Sequence, residues 1–207
     1  ATFLEEQATY STENVSRKGT LSDLAYMIYT SGSTGQPKGV LIDNNAHLDY
    51  VFTFTDLFNI HQGDRVIQQS SISFDTHIEE IFPALLTGAA VLLSRQGGKD
   101  IEDLARLIAQ EEATILSTTP LVLNEINQLE IDFSTLRIII SGGEALKMNQ
   151  IENLLAHAAV FNTYGPTEAT VVATIAQIEN EEAPSTIGRP IPNNQIFITD
   201  DQQQQVP

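Results

Sequence analysis

The 207-residue sequence contains no cysteine. It therefore has no disulfide framework and no thiolate metal ligands. This is compatible with the cytosol, and we expect a cytoplasmic protein. No apolar run is long enough to span a bilayer, and the N-terminus lacks a signal-peptide pattern, so we expect no membrane association.

Basic residues are scarce. Ten Lys and Arg stand against 27 Asp and Glu, which gives a formal net charge of −17. Binding to nucleic acids depends on Lys and Arg that neutralise phosphates. We therefore expect no nucleic-acid partner.

Short apolar runs alternate with segments of helical periodicity. This alternation predicts an α/β fold, with a mainly parallel sheet covered by helices on both faces. Ile101, Leu104 and Ile108 keep the helical period in one segment, and Asp100 is suited to cap it. The predicted strands are 24–29, 65–69, 89–93, 113–117, 136–141, 158–162 and 195–199, and the predicted helices are 44–58, 75–87, 100–111, 119–129 and 148–157.

Polar or glycine-rich positions follow several predicted strands. Asp75, Ser117, Gly142-Gly143 and Thr163-Tyr164 all come at or after the carboxyl end of a strand. Open α/β sheets bind their ligands beyond these ends. The sequence therefore predicts that four separate segments converge on one crevice.

The segment 24–41 is predicted to form a buried strand followed by a loop of Ser, Thr and Gly that ends at Lys38. Such a loop turns backbone N–H groups and hydroxyls to one side and can hold phosphate oxygens. It is not a Walker A loop, which requires Gly before the Lys and Ser or Thr after it. Pro37 and Gly39 occupy those positions here.

Three further motifs accompany this loop: Phe74-Asp75, Gly142-Gly-Glu-Ala145 and Asn162-Thr-Tyr-Gly-Pro-Thr-Glu168. Together the four resemble the adenylation domains of nonribosomal peptide synthetases. These domains belong to the adenylate-forming superfamily, with acyl-CoA ligases and luciferases. The resemblance implies a flavodoxin-like core that joins an amino acid to the α-phosphate of ATP, with Mg²⁺, and passes the aminoacyl group to a peptidyl carrier protein.

The resemblance also implies roles for the nucleotide-binding residues. Lys38 and the preceding loop would hold the outgoing phosphates, Tyr164 would stack on adenine, and Thr167 would contact the α-phosphate. Glu168 would bind Mg²⁺. The residues implied in catalysis are Thr30, Lys38, Thr167 and Glu168, and those implied in ATP binding are Thr30, Ser31, Gly32, Ser33, Thr34, Gly35, Lys38, Gly143, Glu144, Ala145, Asn162, Thr163, Tyr164, Gly165 and Thr167.

On the substrate side, the resemblance places Asp75 where the family pairs a carboxylate with the α-ammonium group. The alternative is a simple helix N-cap, for which Asp is well suited. The positions implied to line the amino-acid pocket are Asp75, Thr76, Glu79, Ser117, Ile140, Gly142, Thr163, Val171 and Val172.

Glu79 is the unusual member of this set. It lies four residues after Asp75 and thus on the same helical face. A second acid in an otherwise neutral pocket calls for a second positive charge, which favours lysine or a related diamino acid. The alternative is that Glu79 faces solvent beside Glu80, while Ile78, Ile81, Phe82 and Leu85 form the core-facing stripe of the helix.

Three regions are expected: a linker at 1–20, the core subdomain at 21–176, and the truncated start of a β-rich subdomain at 177–207. The family's catalytic lysine and hinge acid would follow this segment, so the chain is expected to be a central fragment that adenylates poorly alone. Two alternatives stay open: part of an acyl- or aryl-CoA ligase, or a non-catalytic nucleotide-binding scaffold.

Overall fold

A seven-stranded sheet forms the centre of the computed structural model, which describes residues 9–16, 18–32, 35–179 and 185–206. The strands are β1 (Leu24–Thr30), β2 (Lys38–Asp43), β3 (Arg65–Gln68), β4 (Ala90–Leu93), β5 (Ile115–Thr118), β6 (Ile138–Ser141), β7 (Ala159–Tyr164), β8 (Thr174–Ile178) and β9 (Arg189–Pro190). The helices are α1 (Asn44–Leu57), α2 (Thr76–Thr87), α3 (Ile101–Ala109) and α4 (Pro120–Ile126).

The order in the large sheet is β4-β3-β5-β6-β7-β8-β9. The neighbours from β4 to β7 are parallel, whereas β8 and β9 are added antiparallel. The predicted, mainly parallel sheet is thus confirmed. The antiparallel edge comes from the tight reversal between β7 and β8, which leaves no room for a crossover helix.

Each face of the sheet carries its own apolar core, because successive strand residues point to opposite faces. Val66 and Ile115 pack with Tyr50 and Phe54 of α1 and Ile78 of α2. The residues next to them in sequence point the other way: the opposite core is formed by Ile67 and Leu116 of the strands, Leu104 and Ile108 of α3, and Leu123 and Ile126 of α4. Helices therefore cover both faces, as predicted.

Two helices begin at aspartate caps. Asp43 accepts a hydrogen bond from the backbone N–H of Ala46 at 2.8 Å, and Asp100 accepts one from Asp103 at 3.0 Å. These bonds satisfy backbone donors that have no partner within the first helical turn. The cap predicted at Asp100 is confirmed.

Four parts of the sequence-based prediction were wrong. The strands β2, β8 and β9 were missed. The helix predicted at 148–157 is replaced by two short 3₁₀ turns, Met148–Gln150 and Leu154–Ala156. The strand predicted at 195–199 is not formed, and only an isolated bridge joins Thr199 to Gln205.

The last error concerns β1, which was predicted to be buried. It pairs only with β2, in an antiparallel hairpin separate from the large sheet. Met27 and Tyr29 are largely exposed, and only Ile28 of this strand is fully buried. The apolar run reflects one face packed on α1 and one open face, rather than a strand buried on both sides.

The described part of the chain contains no helix with the length and apolar composition needed to cross a membrane. The three predicted regions remain predictions.

Candidate active site

The predicted crevice residues meet where β5, β6 and β7 end. Ser117 lies in β5, Gly142 follows β6, and Thr163 and Tyr164 end β7. The Gly142 N–H donates to the carbonyl of Thr118 at 3.1 Å, and the Thr163 hydroxyl donates to the carbonyl of Ser141 at 3.1 Å. A Cβ on Gly142 would lie 2.8 Å from the Thr163 hydroxyl, so any side chain there would require Thr163 to shift.

Asp75 stands beside this edge, at the start of α2. It occupies the N-cap position, but its side chain makes no capping hydrogen bond. Its Oδ2 atom is buried and has no hydrogen-bond partner among the described residues. Burial raises the pKa of the Asp75 carboxyl, and a hydrogen bond from the Thr167 side chain partly offsets this effect. An unpartnered buried carboxylate oxygen is costly and calls for a donor, preferably a cationic one.

Glu79 is buried one turn further along α2. Its Oε2 atom accepts a hydrogen bond from the Tyr50 hydroxyl at 2.5 Å, and its Oε1 atom accepts one from the Ser117 hydroxyl. Burial, aided by the nearby Asp75 charge, raises the pKa of Glu79 to about 7, despite these two donors. The alternative in which Glu79 faces solvent is therefore wrong.

The predicted core-facing stripe of α2 was right only in part, since Ile78 is fully buried and Ile81 half-buried. Phe82 and Leu85 are exposed, whereas Glu79 and Glu80 are buried beside Ile78. Donors on the neighbouring α1, β3 and β5 segments make burial of the two acids possible. Apolar periodicity alone therefore assigned the two faces of this helix only partly correctly.

The remaining predicted pocket positions lie near Glu79 or along the strand ends. Ile140 is fully buried in β6, and Val171 and Val172 are buried in the same apolar core as Tyr50. Thr76 is half-buried in the first turn of α2.

The phosphate-binding candidates lie in the β1–β2 hairpin. Thr30 pairs with Lys38 where the two strands meet the loop. Within the loop, the Gly35 N–H donates to the Gly32 carbonyl at 2.9 Å, and Gly35 has φ +79°. That left-handed conformation favours glycine. Ser31 is exposed, and Ser33 and Thr34 lie outside the described residues.

The turn that carries Thr167 and Glu168 places the motif at 162–168 against this hairpin. It is a 3₁₀ turn, Thr167–Ala169, and β2 packs against it. A Cβ on Gly165 would lie 2.3 Å from the carbonyl oxygen of Val171, so the chain approaches itself too closely for any side chain. Thr170 and Val171 both have positive φ, at 59° and 68°. Such backbone costs of order 1–3 kcal/mol per residue and is often found at functional sites.

The adenine-side candidates are open to solvent. Tyr164 is 50% exposed at the end of β7. Gly143 (φ +87°), Glu144 and Ala145 are exposed after β6. Asn162 is buried, and its side-chain amide donates to the carbonyl of Thr186 at 2.7 Å.

Glu168 is exposed and is a single acidic anchor for a metal. The described residues contain no group of three or more His, Cys, Asp or Glu placed to hold a metal ion. This donor set fits Mg²⁺, which keeps several waters and binds through one or two carboxylates plus substrate phosphates.

Sequence reasoning missed three residues around the two acids. Tyr50 donates to Glu79. Tyr26 and His47 stack edge-to-face with ring centroids 5.7 Å apart, and the Tyr26 hydroxyl and the Nδ1 of His47 are buried without partners in the described structure. Burial, with Asp75 nearby, raises the pKa of Tyr26. The available signal was weak, since aromatic residues on α1 and β1 are equally typical of plain core.

A family model described as "AMP-binding enzyme" matches residues 2–207. The chain belongs to this family. Its relatives among the AMP-binding enzymes include Bacitracin synthase 2 of Bacillus licheniformis, with 39% identity over 95% of this chain, and Tyrocidine synthase 3 of Brevibacillus parabrevis, with 33% identity over 99%. The resemblance to adenylation domains of nonribosomal peptide synthetases is confirmed.

Solved structures of this family share the fold. The AMPPNP-bound form of the nonribosomal peptide synthetase FmoA3 has a TM-score of 0.86 with 25% identity, covering 95% of this chain and 22% of that one. The Vibrio cholerae adenylation domain AlmE, in complex with glycyl-adenosine-5'-phosphate, has a TM-score of 0.79 with 26% identity, covering 91% of this chain and 38% of that one.

The chain spans a small part of its relatives. It covers 8% of Bacitracin synthase 2 and 3% of Tyrocidine synthase 3.

Proposed function

We propose that this chain forms the ATP- and amino-acid-binding crevice of an adenylation domain in nonribosomal peptide synthesis. The reaction joins the substrate carboxylate to the α-phosphate of ATP and releases pyrophosphate. The buried, unpartnered Oδ2 of Asp75 is the observation that carries the amino-acid part of this proposal. An α-ammonium group supplies the hydrogen-bond donor and the positive counter-charge that this oxygen lacks.

Catalysis in this crevice is positioning and electrostatic stabilisation rather than covalent chemistry. Asp75 holds the ammonium end of the substrate, so that the carboxylate lies toward Thr167. The exposed Lys38 and the loop before it hold the outgoing phosphates. Mg²⁺ bound at Glu168 would neutralise phosphate charge.

We further propose that the substrate is lysine or a related diamino acid. Glu79 is buried, and its two oxygens accept from Tyr50 and Ser117. A carboxylate has about four acceptor sites, so two remain for a side-chain ammonium. Among the described residues no Lys or Arg forms an ion pair with Glu79, which leaves the charge of an ionised Glu79 to the ligand.

The product is proposed to pass to a peptidyl carrier protein in the cytoplasm. Slow turnover by the 207-residue chain on its own stays a prediction.

The test is pyrophosphate exchange by an adenylation domain that contains this chain. Asp75→Asn keeps the side-chain volume but removes the charge. We expect the KM for the amino acid to rise at least tenfold, while the KM for ATP changes less than threefold. Asp56→Asn, an exposed change on α1, is the matched control and should change neither constant.

Other outcomes would point elsewhere. Exchange that is equally fast with the desamino analogue of the substrate would favour an acyl- or aryl-CoA ligase. Nucleotide binding without any exchange across a panel of acids would favour a non-catalytic scaffold.

A further inference from the structure

Glu80 is a buried acid for which the proposed chemistry has no use. Its side chain lies in α2 next to Glu79 and is fully buried. None of the ion pairs formed by the described residues involves it. Burying a carboxylate without a cation costs several kcal/mol unless donors satisfy it, so the contacts of Glu80 indicate what it does.

All these contacts come from the segment where β3 ends. The Ser70 N–H donates to both Glu80 oxygens, at 3.1 and 3.2 Å, and the Ser70 hydroxyl donates to Oε1 at 2.8 Å. The side-chain amides of Gln68 and Gln69 lie 3.3 Å from Oε2 and Oε1. Glu80 therefore fastens α2 to the point where the chain leaves the sheet.

The same cluster reaches β5. The Gln69 side-chain amide also donates to the backbone carbonyl of Ser117 at 3.0 Å. Ser117 in turn donates through its hydroxyl to Glu79. One hydrogen-bonded group thus joins the end of β3, the end of β5 and α2, which are three of the elements that present the proposed pocket.

The segment between Ser70 and Asp75 is exposed at Ser71, Ile72, Ser73 and Phe74, and its hydrogen bonds are local. The Phe74 N–H donates to the Ser71 carbonyl at 2.9 Å, the Ser73 N–H donates to the Ser71 hydroxyl at 3.3 Å, and the Phe74 carbonyl lies 2.7 Å from the Nδ1 of His77 in the first turn of α2. The segment that ends at Asp75 is consequently fixed at both of its ends, by the Glu80 contacts to Ser70 at one end and by α2 at the other.

We propose that Glu80 is a positioning residue, which fixes the segment 70–75 so that the Asp75 carboxylate meets the substrate α-ammonium group. Glu80 does not touch the substrate and acts through Asp75. The inference rests on the proposed function, since it concerns the same amino-acid site.

The decisive variant is Glu80→Gln in an adenylation domain that contains this chain. Glutamine keeps the volume but turns an NH₂ group toward donors that need an acceptor. We expect the KM for the amino acid to rise about tenfold, with the KM for ATP and kcat changed less than threefold. The preference for the amino acid over its desamino analogue should fall by a similar factor.

A double-mutant cycle separates positioning from general destabilisation. If Glu80 acts through Asp75, then Glu80→Gln added to Asp75→Asn should raise the KM for the amino acid less than twofold further. Asp64→Asn is the matched control. Asp64 is also buried and hydrogen-bonded, in its case within an ion pair with Arg137 at 2.7 Å, but it precedes β3 at the opposite end of the sheet. It should lower stability and leave the amino-acid KM within twofold.

An unchanged amino-acid KM in Glu80→Gln, a parallel rise of both KM values, or effects that add fully with Asp75→Asn would each overturn the proposal. Failure of Asp75→Asn itself to change the amino-acid KM would instead refute the proposed function. If Glu80→Gln does not fold, Ser70→Ala removes one donor hydroxyl and should raise the same KM in the same direction.

Discussion

Three carboxyl groups lie within six residues at the start of α2, and none has a cationic partner in the described structure. Asp75 and Glu79 lie on the face toward the strand ends, and Glu80 faces the end of β3. Burial is the main cause of the raised pKa of all three. Such a site favours bound cations or protons, and this sets its pH dependence.

A pH profile tests the role of Glu79. In the free protein its pKa is about 7, so Glu79 is increasingly protonated below that pH. A cationic side chain binds only the ionised form, and kcat/KM for lysine should fall about tenfold per pH unit below 7. Norleucine has no side-chain ammonium and should show no such fall. The measurement is pyrophosphate exchange with both substrates between pH 5.5 and 8.5.

Glu79→Gln should flatten this profile and reduce the lysine-to-norleucine preference at pH 8 by at least tenfold. A preference that stays independent of pH in the wild type, or that survives the substitution, would refute the lysine proposal.

For individual residues, the sequence indicated where a side chain lies in the fold better than it indicated which other side chains it contacts. Asp75 and Glu79 could be assigned to one helical face from their spacing alone. Their surroundings could not, because Tyr50 and Ser117 come from elements 29 and 38 residues away from Glu79. Which face of a helix is buried depends on such distant donors.

Among the elements, the β7–β8 reversal brings two stretches of backbone very close together. A Cβ on Gly165 would lie 2.3 Å from the Val171 carbonyl oxygen and 2.6 Å from the Val172 Cα. Gly165→Ala should therefore lower the free energy of unfolding by about 2 kcal/mol or more, because backbone on both sides must shift. It should also raise the KM for ATP, since Tyr164 and Thr167 flank the turn.

Urea unfolding and pyrophosphate exchange measure these two effects. The control is Gly19→Ala, whose Cβ would meet only the side chains of Asp23 and Asn44, at 3.4 and 4.0 Å. It should change stability by less than about 1 kcal/mol. If Gly165→Ala and Gly19→Ala had equal effects on stability and on the KM for ATP, the close backbone approach at Gly165 would not be the cause.

The central parallel strands β5 and β6 were predictable because every residue in them is buried and they follow the pattern of short apolar runs. β2 and β8 were missed for the opposite reason. Lys38–Asp43 contains Lys, Gly and Asp, and Thr174–Ile178 contains Thr and Gln, so neither forms such a run. The short turns at 148–156 resemble a helix in sequence because their apolar residues keep helical spacing.

At the scale of the whole molecule, one partly exposed face of α2 is apolar. Phe82, Leu85 and Leu86 are 39%, 64% and 49% exposed, and Phe82 also packs edge-to-face on His47 of α1. They are three and four residues apart and therefore adjacent on the helix surface. Contiguous apolar surface of this kind binds apolar probes.

We expect the 207-residue chain to bind a hydrophobic fluorescent dye through this face. Replacing Leu85 and Leu86 by Gln should reduce the dye signal at least twofold, with little change in stability, because neither side chain is buried. Leu121→Gln on α4 is the control, since Leu121 is also 62% exposed. A dye signal that falls equally in both variants would argue against a localised face.

Thr167 lies near Asp75 and lowers the pKa of its carboxyl, so the two halves of the crevice meet at this pair of side chains. A hydroxyl carries a single proton to donate. If Thr167 turned that proton to the α-phosphate of an arriving nucleotide, Asp75 would lose one of its partners and attract an ammonium group more strongly. Binding of either substrate would then raise the affinity for the other, by the same factor in both directions.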